Sequence, residues 1–320
     1  MTRTRRLLVV LIVFHIAIVV LPLLAPYAPD HQHRLYPLVP PSSLHVSGAD
    51  GLYICALRPE ERFGQYREDC AVRYRVNLLP ISVDAPGVIF LMGTDELGRD
   101  VASQFFAGAR QSLFAAEAAA ALSLLIAAVI GTFGCYIGGI LDRLFVRAGD
   151  ILMALPWLYA VLALRGALPL AVDAAAVNLM MIGLLALVGW VRPARVFRAL
   201  VASTRSQPFV QAAVGFGAPA RAIVMRHLLP AIAGAAFTQA ALLIPQFLLA
   251  EVALSVLGVL GDSAAGWGPL VAVLQRYAIV SDAWWLTLPA VWIVGLFVFF
   301  HKLADAAQQH WRAAAARGSI

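Results

Sequence analysis

Six apolar runs restrict what this chain can fold into. They fall at about residues 7–25, 113–140, 151–170, 174–191, 231–259 and 284–300. Each lies near or within the ~17–25 residues that a helix needs to cross a bilayer. A soluble core of this size has no use for runs this long. Charged residues make up 13% of the 320, about half of the ~25% typical of soluble domains. The expected fold class is an all-α membrane protein with six transmembrane helices. It should carry a helical cytoplasmic loop between the fourth and fifth spans and an extended extracytoplasmic loop between the first two.

Charge sets the expected orientation. The net charge is +6, but residues 26–111 hold eight Arg against ten Asp and Glu, and the remainder holds sixteen basic against eight acidic residues. No basic patch with interleaved aromatics accompanies that excess, so a nucleic-acid partner is excluded. Basic residues flanking apolar runs are instead topology signals. With the N-terminus inside, fourteen Lys and Arg fall in inside segments, and only Arg165 and Arg276 fall in short outside ones. Both termini are therefore expected on the cytoplasmic side of the membrane, with the spans in contact with membrane lipid. Thr2-Arg3-Thr4-Arg5-Arg6 before the first run also suits a signal peptide, but the run is long for one, and an uncleaved first span is preferred. The expected units are 1–25, 26–100 and 101–320, with a cytoplasmic loop at 192–230.

Within 26–100, Val72-Arg73-Tyr74-Arg75-Val76 alternates like a short strand. Val101, Phe105, Ala109 and Leu113 repeat at four-residue spacing, which suits a short helix on the membrane surface. Three cysteines are too few for a disulfide scaffold and lack metal-ligand spacing. Cys135 reads as a packed thiol. Cys55 and Cys70 both lie in the outside loop, where oxidation is permitted, and are expected to pair; two free thiols are the alternative.

Residues 207–230 read as two short helices joined by a turn. Pro208 suits a first helical position, Gly217 a left-handed stop, and Pro219 a second start. Arg226 and His227 favour the negative pole of that second helix, and Pro230 delivers the chain into the fifth span. From the residues alone, the stretch is either a docking knob or a solvated loop.

Gln211-Ala212-Ala213, Gly217, Ile223 and Leu229-Pro230 resemble the signature of binding-protein-dependent ABC permeases. Gln211 stands where that family usually has Glu. Gly93-Thr94-Asp95-Glu96-Leu97-Gly98-Arg99-Asp100, Gly108-Ala109-Arg110-Gln111-Ser112-Leu113, Leu249-Ala250-Glu251 and Trp267-Gly268 are similar to the C-type subunit of the dipeptide, oligopeptide and nickel group. The resemblance implies one permease subunit that forms half of a translocation pathway. It implies partners too: a sister permease subunit, two ATPase subunits that carry ATP and Mg, and an extracytoplasmic substrate-binding protein. Gln211, Ala212, Ala213, Gly217, Ile223, Leu229 and Pro230 would then couple to the ATPase. Peptide is the preferred substrate; nickel chelates, glutathione or another small solute are alternatives.

Several residues have two readings. Glu251 inside an apolar run either anchors the fifth span or meets substrate. Trp267, Trp284 and Trp285 fall where an outer aromatic belt would lie, and a pathway role for Trp267 is the alternative. Glu117 is expected to reach the interface, Arg147 to pair with Asp150, and Gly131 and Gly138-Gly139 to permit close helix packing. There is no phosphate-binding Gly-x-x-x-x-Gly-Lys loop and no catalytic constellation, so the chain is expected to be no enzyme and to hold no cofactor or metal. A secondary transporter would call for inverted repeats and broken midplane helices, which the sequence does not display.

Overall fold

A computed structural model describes residues 3–20, 27–47, 51–59, 66–75, 88–154, 174–257, 266–275 and 283–316, with a few single positions between them. The fold is predominantly helical. Helix α1 spans Arg3–Val20, and three strands follow: β1 (Leu44–Ser47), β2 (Gly51–Pro59) and β3 (Tyr66–Arg75). They form one antiparallel sheet in the order β1-β2-β3. The all-α expectation is therefore corrected. Alternating residues such as those of 72–75 extend into a ladder once a neighbouring strand accepts their backbone groups.

The helical part runs through α2 (Val101–Ile137), α3 (Gly139–Ala154), α4 (Ala174–Gly189), α5 (Val191–Arg205), α6 (Pro208–Gly215), α7 (Ala220–Val256), α8 (Trp267–Ala272) and α9 (Leu288–Ala316). Among the described residues, three helices are long and apolar enough to cross a membrane: α2, α7, and the last rod from Trp284 to Arg312. A fourth span arises if α4 and α5, bent by 43° at Trp190, are taken together. The apolar stretch of α1, Val9–Val20, is shorter than a span. The expected run at 151–170 lies largely outside the described residues.

Two rods exceed expectation. The supposed surface helix at 101–113 is the first part of α2, because its four-residue repeat continues unbroken into the apolar run. Val101, Phe105, Ala109 and Leu113 are all buried. Likewise, the second short helix of the 207–230 stretch continues into the fifth apolar run as α7. A wide π-helical turn at Val224–Leu228 lies just before Pro230. Proline lacks the N–H that would bond the carbonyl four residues back, so the widened turn absorbs it without ending the rod. A second wide turn, Val129–Gly134, interrupts α2.

Glycines decide two approaches. A Cβ on Gly131 would stand 2.7 Å from the Ala194 carbonyl oxygen, so α5 crosses α2 at that position. Gly138 and Gly139, expected to serve packing, instead take φ of 70° and 72° with open space around them. They break α2 from α3.

The loop unit is spliced onto the bundle by Gly93–Asp100. Thr94 Oγ1 donates to the Tyr36 carbonyl at 2.7 Å and accepts from the Val39 amide at 2.7 Å. Asp95 accepts from the amides of Leu97 and Arg99, both at 2.9 Å, and from Arg99 Nε at 2.7 Å. Asp100 caps α2 by accepting from Ser103 N at 2.8 Å. Trp285 Nε1 donates to the Thr94 carbonyl at 3.1 Å, tying the splice to the start of the last rod. Above it, Tyr36, Val39, Leu57 and Phe90 form a small core. A register shift between Cys55 and Ala56 bends β2, and Cys55 is bonded to Cys70 of β3.

This unit generates two predictions. In protein extracted under an alkylating trap, only Cys135 should be labelled, and Cys55→Ser should cost the loop unit about 3 kcal/mol for a closed loop of this length. The second prediction concerns pH. Burial pushes the Asp100 carboxyl up to about 6 despite the hydrogen bonds from Ser103. Burial, and then the neighbouring His31, pushes the His33 ring down to about 4. The stabilisation tied to protonated Asp100 is full below its ordinary 3.8 and lost as pH rises through about 6. That tied to neutral His33 is full above 6.5 and lost as pH falls through about 4. The slopes oppose each other. Asp100→Asn should therefore lose stability on acidification relative to the parent protein, on the order of 2 kcal/mol, and His33→Phe should gain it by less, because solvent screens that half-buried ring. Thermal midpoints between pH 4 and 6.5 measure this, and three parallel curves would refute it.

Candidate functional site

The exposed helical hairpin between α5 and α7 is the most sharply formed surface feature. Pro208 opens α6, and Gly217 ends it with φ 80°. A Cβ at Gly217 would meet nothing within 4 Å, so backbone conformation alone requires glycine there. The amides of Phe216, Gly217 and Ala218 bond back to the carbonyls of Ala212, Val214 and Ala213, closing the end of α6. Phe216 projects from the tip with 92% of its surface exposed. Phe209, Val214 and Met225 are exposed as well, while Val210, Ile223 and Leu228 are buried with Phe197 and Val201 of α5. One face of the hairpin thus binds it to the bundle, and the other presents apolar side chains.

The signature residues divide along that line. Gln211 is exposed, and its amide donates to the Arg205 carbonyl at 3.0 Å, capping the end of α5. A carboxylate could not donate there. Ala212 is exposed and Ala213 half-buried. Ile223 is buried, and Leu229 and Pro230 lie at the π-helical turn.

Sequence reasoning missed how the hairpin is held. Arg198 forks onto Asp142 of α3, with Nε and Nη2 at 2.8 and 2.6 Å from the two oxygens. Arg195 pairs with Asp150, eight residues further along α3. The expected Arg147–Asp150 pair is corrected, because the α5 guanidinium takes the carboxylate. Arg205 donates to the Tyr136 carbonyl at 3.1 Å and lies over the Tyr136 ring at 5.3 Å. The Gly138-Gly139 break frees the carbonyls at the end of α2, and Arg205 satisfies one of them. The Arg198 guanidinium holds the Asp142 carboxyl below its ordinary range. The signal was present as a basic face at 195, 198 and 205 facing acids at 142 and 150.

At the opposite end, Glu251 and Trp267 belong to one buried node. Trp267, fully buried, stacks on Phe105 with centroids 5.3 Å apart, and its Nε1 donates to the Phe105 carbonyl at 2.9 Å. Its backbone amide donates to Ser112 Oγ at 2.9 Å. The Ser112 hydroxyl and the Gly268 amide are hydrogen-bonded to the Glu251 carboxylate. The second Glu251 oxygen has no partner among the described residues. The belt reading is corrected for Trp267 and Trp285, which are buried, and Trp284 alone of the three is exposed. Indole N–H groups that find carbonyls inside the bundle are held there in preference to the interface. Glu117, expected at the interface, is bonded to His15 Nε2 of α1.

Residues 122–309 match the family of binding-protein-dependent transport system inner membrane components. The chain belongs to that family. The match takes in the hairpin, the ion-paired clasp and Glu251, and leaves out the sheet. Over 226 residues this permease is 35% identical to the dipeptide transport system permease protein DppC of Bacillus subtilis, covering 70% of this chain and 68% of that one. It is 33% identical to the oligopeptide permease OppC of the same organism over 67% and 68% of the two chains. The probable D,D-dipeptide permease DdpC of Escherichia coli is 31% identical over 73% and 75%.

The clasp gives a measurable expectation. A double-mutant cycle with Asp142→Asn and Arg198→Gln should return a coupling of about 1 kcal/mol, the upper end for surface pairs, because the contact is bidentate. Thermal unfolding in detergent reads it, and additive effects would show the clasp to be ornamental.

Proposed function

We propose that the chain is a translocation subunit of an ATP-binding-cassette importer for peptides, and that its 205–229 hairpin docks on a cytoplasmic ATPase. The observation that carries this reading is the hairpin itself. It is a rigid turn with Phe216 almost fully exposed, and its stem is ion-paired to α3 and continuous with the spanning rod α7. An apolar tip exposed in water calls for a protein partner, and a helix continuous with a span can transmit that partner's motion. The relatives are named for dipeptides, oligopeptides and D,D-dipeptides, which favours peptide over other solutes.

In this reading the chain crosses the inner membrane six times with both termini in the cytoplasm, and the sheet unit lies outside. A sister permease subunit completes the pathway, a substrate-binding protein delivers the peptide, and two ATPase subunits bind ATP and Mg. ATP binding biases the bundles between inward-open and outward-open states. Ala212 and Ala213 keep the docking face narrow. Ile223, Leu229 and Pro230 join the hairpin to α7, and Glu251 with Trp267 anchors the outer end of the pathway wall.

The test is Gly217→Val. A β-branched residue at φ 80° is strained by ~1–3 kcal/mol, which should distort the tip and leave the spans intact. Co-purification of ATPase subunits should fall at least tenfold, or ATP turnover in proteoliposomes should no longer drive peptide uptake. Gln211→Ala should cost only the α5 cap, about 1 kcal/mol or less. Wild-type assembly and uptake in the Gly217→Val protein would overturn the docking proposal.

A further inference from the structure

The three strands gather four reactive side chains into one cluster. His45 of β1 stands opposite Tyr53 of β2, and Glu68 of β3 stands opposite Leu57. Residues two apart on a strand share a face, so Cys55 lies on the face of His45 and Cys70 on that of Glu68. At the register shift between Cys55 and Ala56 the two cysteine Cα atoms are 4.6 Å apart and their sulfurs are bonded. A ring nitrogen of His45 and both sulfurs lie within 4.8 Å of one another. His45 Nε2 is 3.7 Å from Glu68 Oε2, and Glu68 Oε1 accepts from the Ser43 hydroxyl at 2.6 Å. Two sulfurs and an imidazole this close would suit a soft metal ion, but a sulfur held in a disulfide is no thiolate and cannot ligate one. As it stands, the cluster has the parts for a different chemistry.

We infer that Cys55–Cys70 is an exchangeable disulfide, opened by a thiol, with His45 as proton donor to the sulfur that leaves. Access chooses the direction. Cys55 is 1% exposed, whereas Cys70 is half-buried, so an incoming thiolate reaches Cys70. Its sulfur bonds to Cys70 Sγ as the Cys70–Cys55 bond breaks, and the electron pair of that bond leaves on Cys55 Sγ. A thiolate in so buried a place is costly without a neighbouring positive charge or a proton. His45 supplies that proton, and the Glu68 carboxylate stabilises the imidazolium that carries it. The proton shed by the incoming thiol returns to His45 through solvent. The products are a mixed disulfide on Cys70 and a thiol at Cys55. A second thiol then attacks the mixed disulfide, so two thiols are oxidised as the one bond is reduced. Leu57, two residues from Cys55, belongs to the small core above the Gly93–Asp100 splice. Opening the bond therefore loosens β2 against β3 beside the contact that joins the loop unit to α2. Neither the hairpin nor the peptide substrate enters into this chemistry.

The test is exchange with reduced glutathione on the purified, oxidised chain, stopped with an alkylating agent and mapped by peptide mass. The parent protein should carry glutathione on Cys70 and the alkyl group on Cys55. His45→Phe should lower the initial rate at least fivefold. His45→Lys, which restores a cation beside the leaving sulfur, should recover at least half of that loss, and Glu68→Gln should slow exchange at least twofold. A merely structural histidine would act in the opposite direction, since loosening the sheet exposes the sulfurs and speeds exchange. Four results would each overturn the proposal. They are no adduct at a glutathione concentration that opens the same bond in the denatured chain, an adduct on Cys55, exchange as fast or faster in His45→Phe, and His45→Lys as slow as His45→Phe.

Discussion

Close approach along the small-residue face of α2 is the contact on which the rest of the bundle depends. Ala115, Ala116, Ala119, Ala120, Ser123, Ala127 and Gly131 are all buried, and α4, α5 and α7 pack against that stripe. In lipid, apolar side chains gain little from meeting one another, so association rests on dispersion at short range and on hydrogen bonds. Small residues allow that short range. Where Gly131 admits the Ala194 carbonyl, α5 comes against α2 backbone to backbone. The same rod begins at the Asp100 cap, so it also carries the sheet unit at its other end.

Polar contacts fasten each end of this apolar middle. At one end Arg195, Arg198 and Arg205 reach from α5 to α3 and to the freed carbonyls of α2. At the other, Thr94, Asp95 and Asp100 join the loop unit to α2, and Trp285 and Trp267 donate their indole protons to backbone carbonyls. Some of these contacts fall at breaks in regular structure: Arg205 meets a carbonyl freed at the Gly138-Gly139 break and Asp100 caps the start of α2, whereas Asp142, Asp150 and Phe105 lie within helices. The Gly138-Gly139 break would be costly without Arg205, and the turn before α8 without Ser112 and Glu251.

The division of the hairpin into a buried and an exposed face follows from its length. Eight residues of α6 make about two turns, enough for Val210 to anchor and Phe209 to project. Gln211 bonds to the carbonyl of Arg205, so the residue that departs from the family's usual Glu is satisfied within the chain. The tip carries its exposed surface on Phe216, a position outside the signature, which no spacing pattern would select.

By itself, the sequence determined the membrane class, the apolar rods and the local turn chemistry. Run length, Pro208 at a helix start and Gly217 at a left-handed stop are properties of neighbouring residues and need no distant contact to be read. It also exposed the family, because the spaced signature lies within one continuous stretch. Tertiary structure decided where polar side chains go. Asp150 chose Arg195 over Arg147, Glu117 met His15 of the first helix, and Trp267 turned inward, because each partner is far away in sequence and near only after the rods pack. The sheet was legible only as one alternating segment, since a strand shows its own pattern but not the neighbours that pair with it. The continuity of α2 and α7 was hidden for the opposite reason. Polar residues at the head of a rod read as a boundary, whereas in three dimensions they sit against the loop unit and the hairpin and let the helix run on.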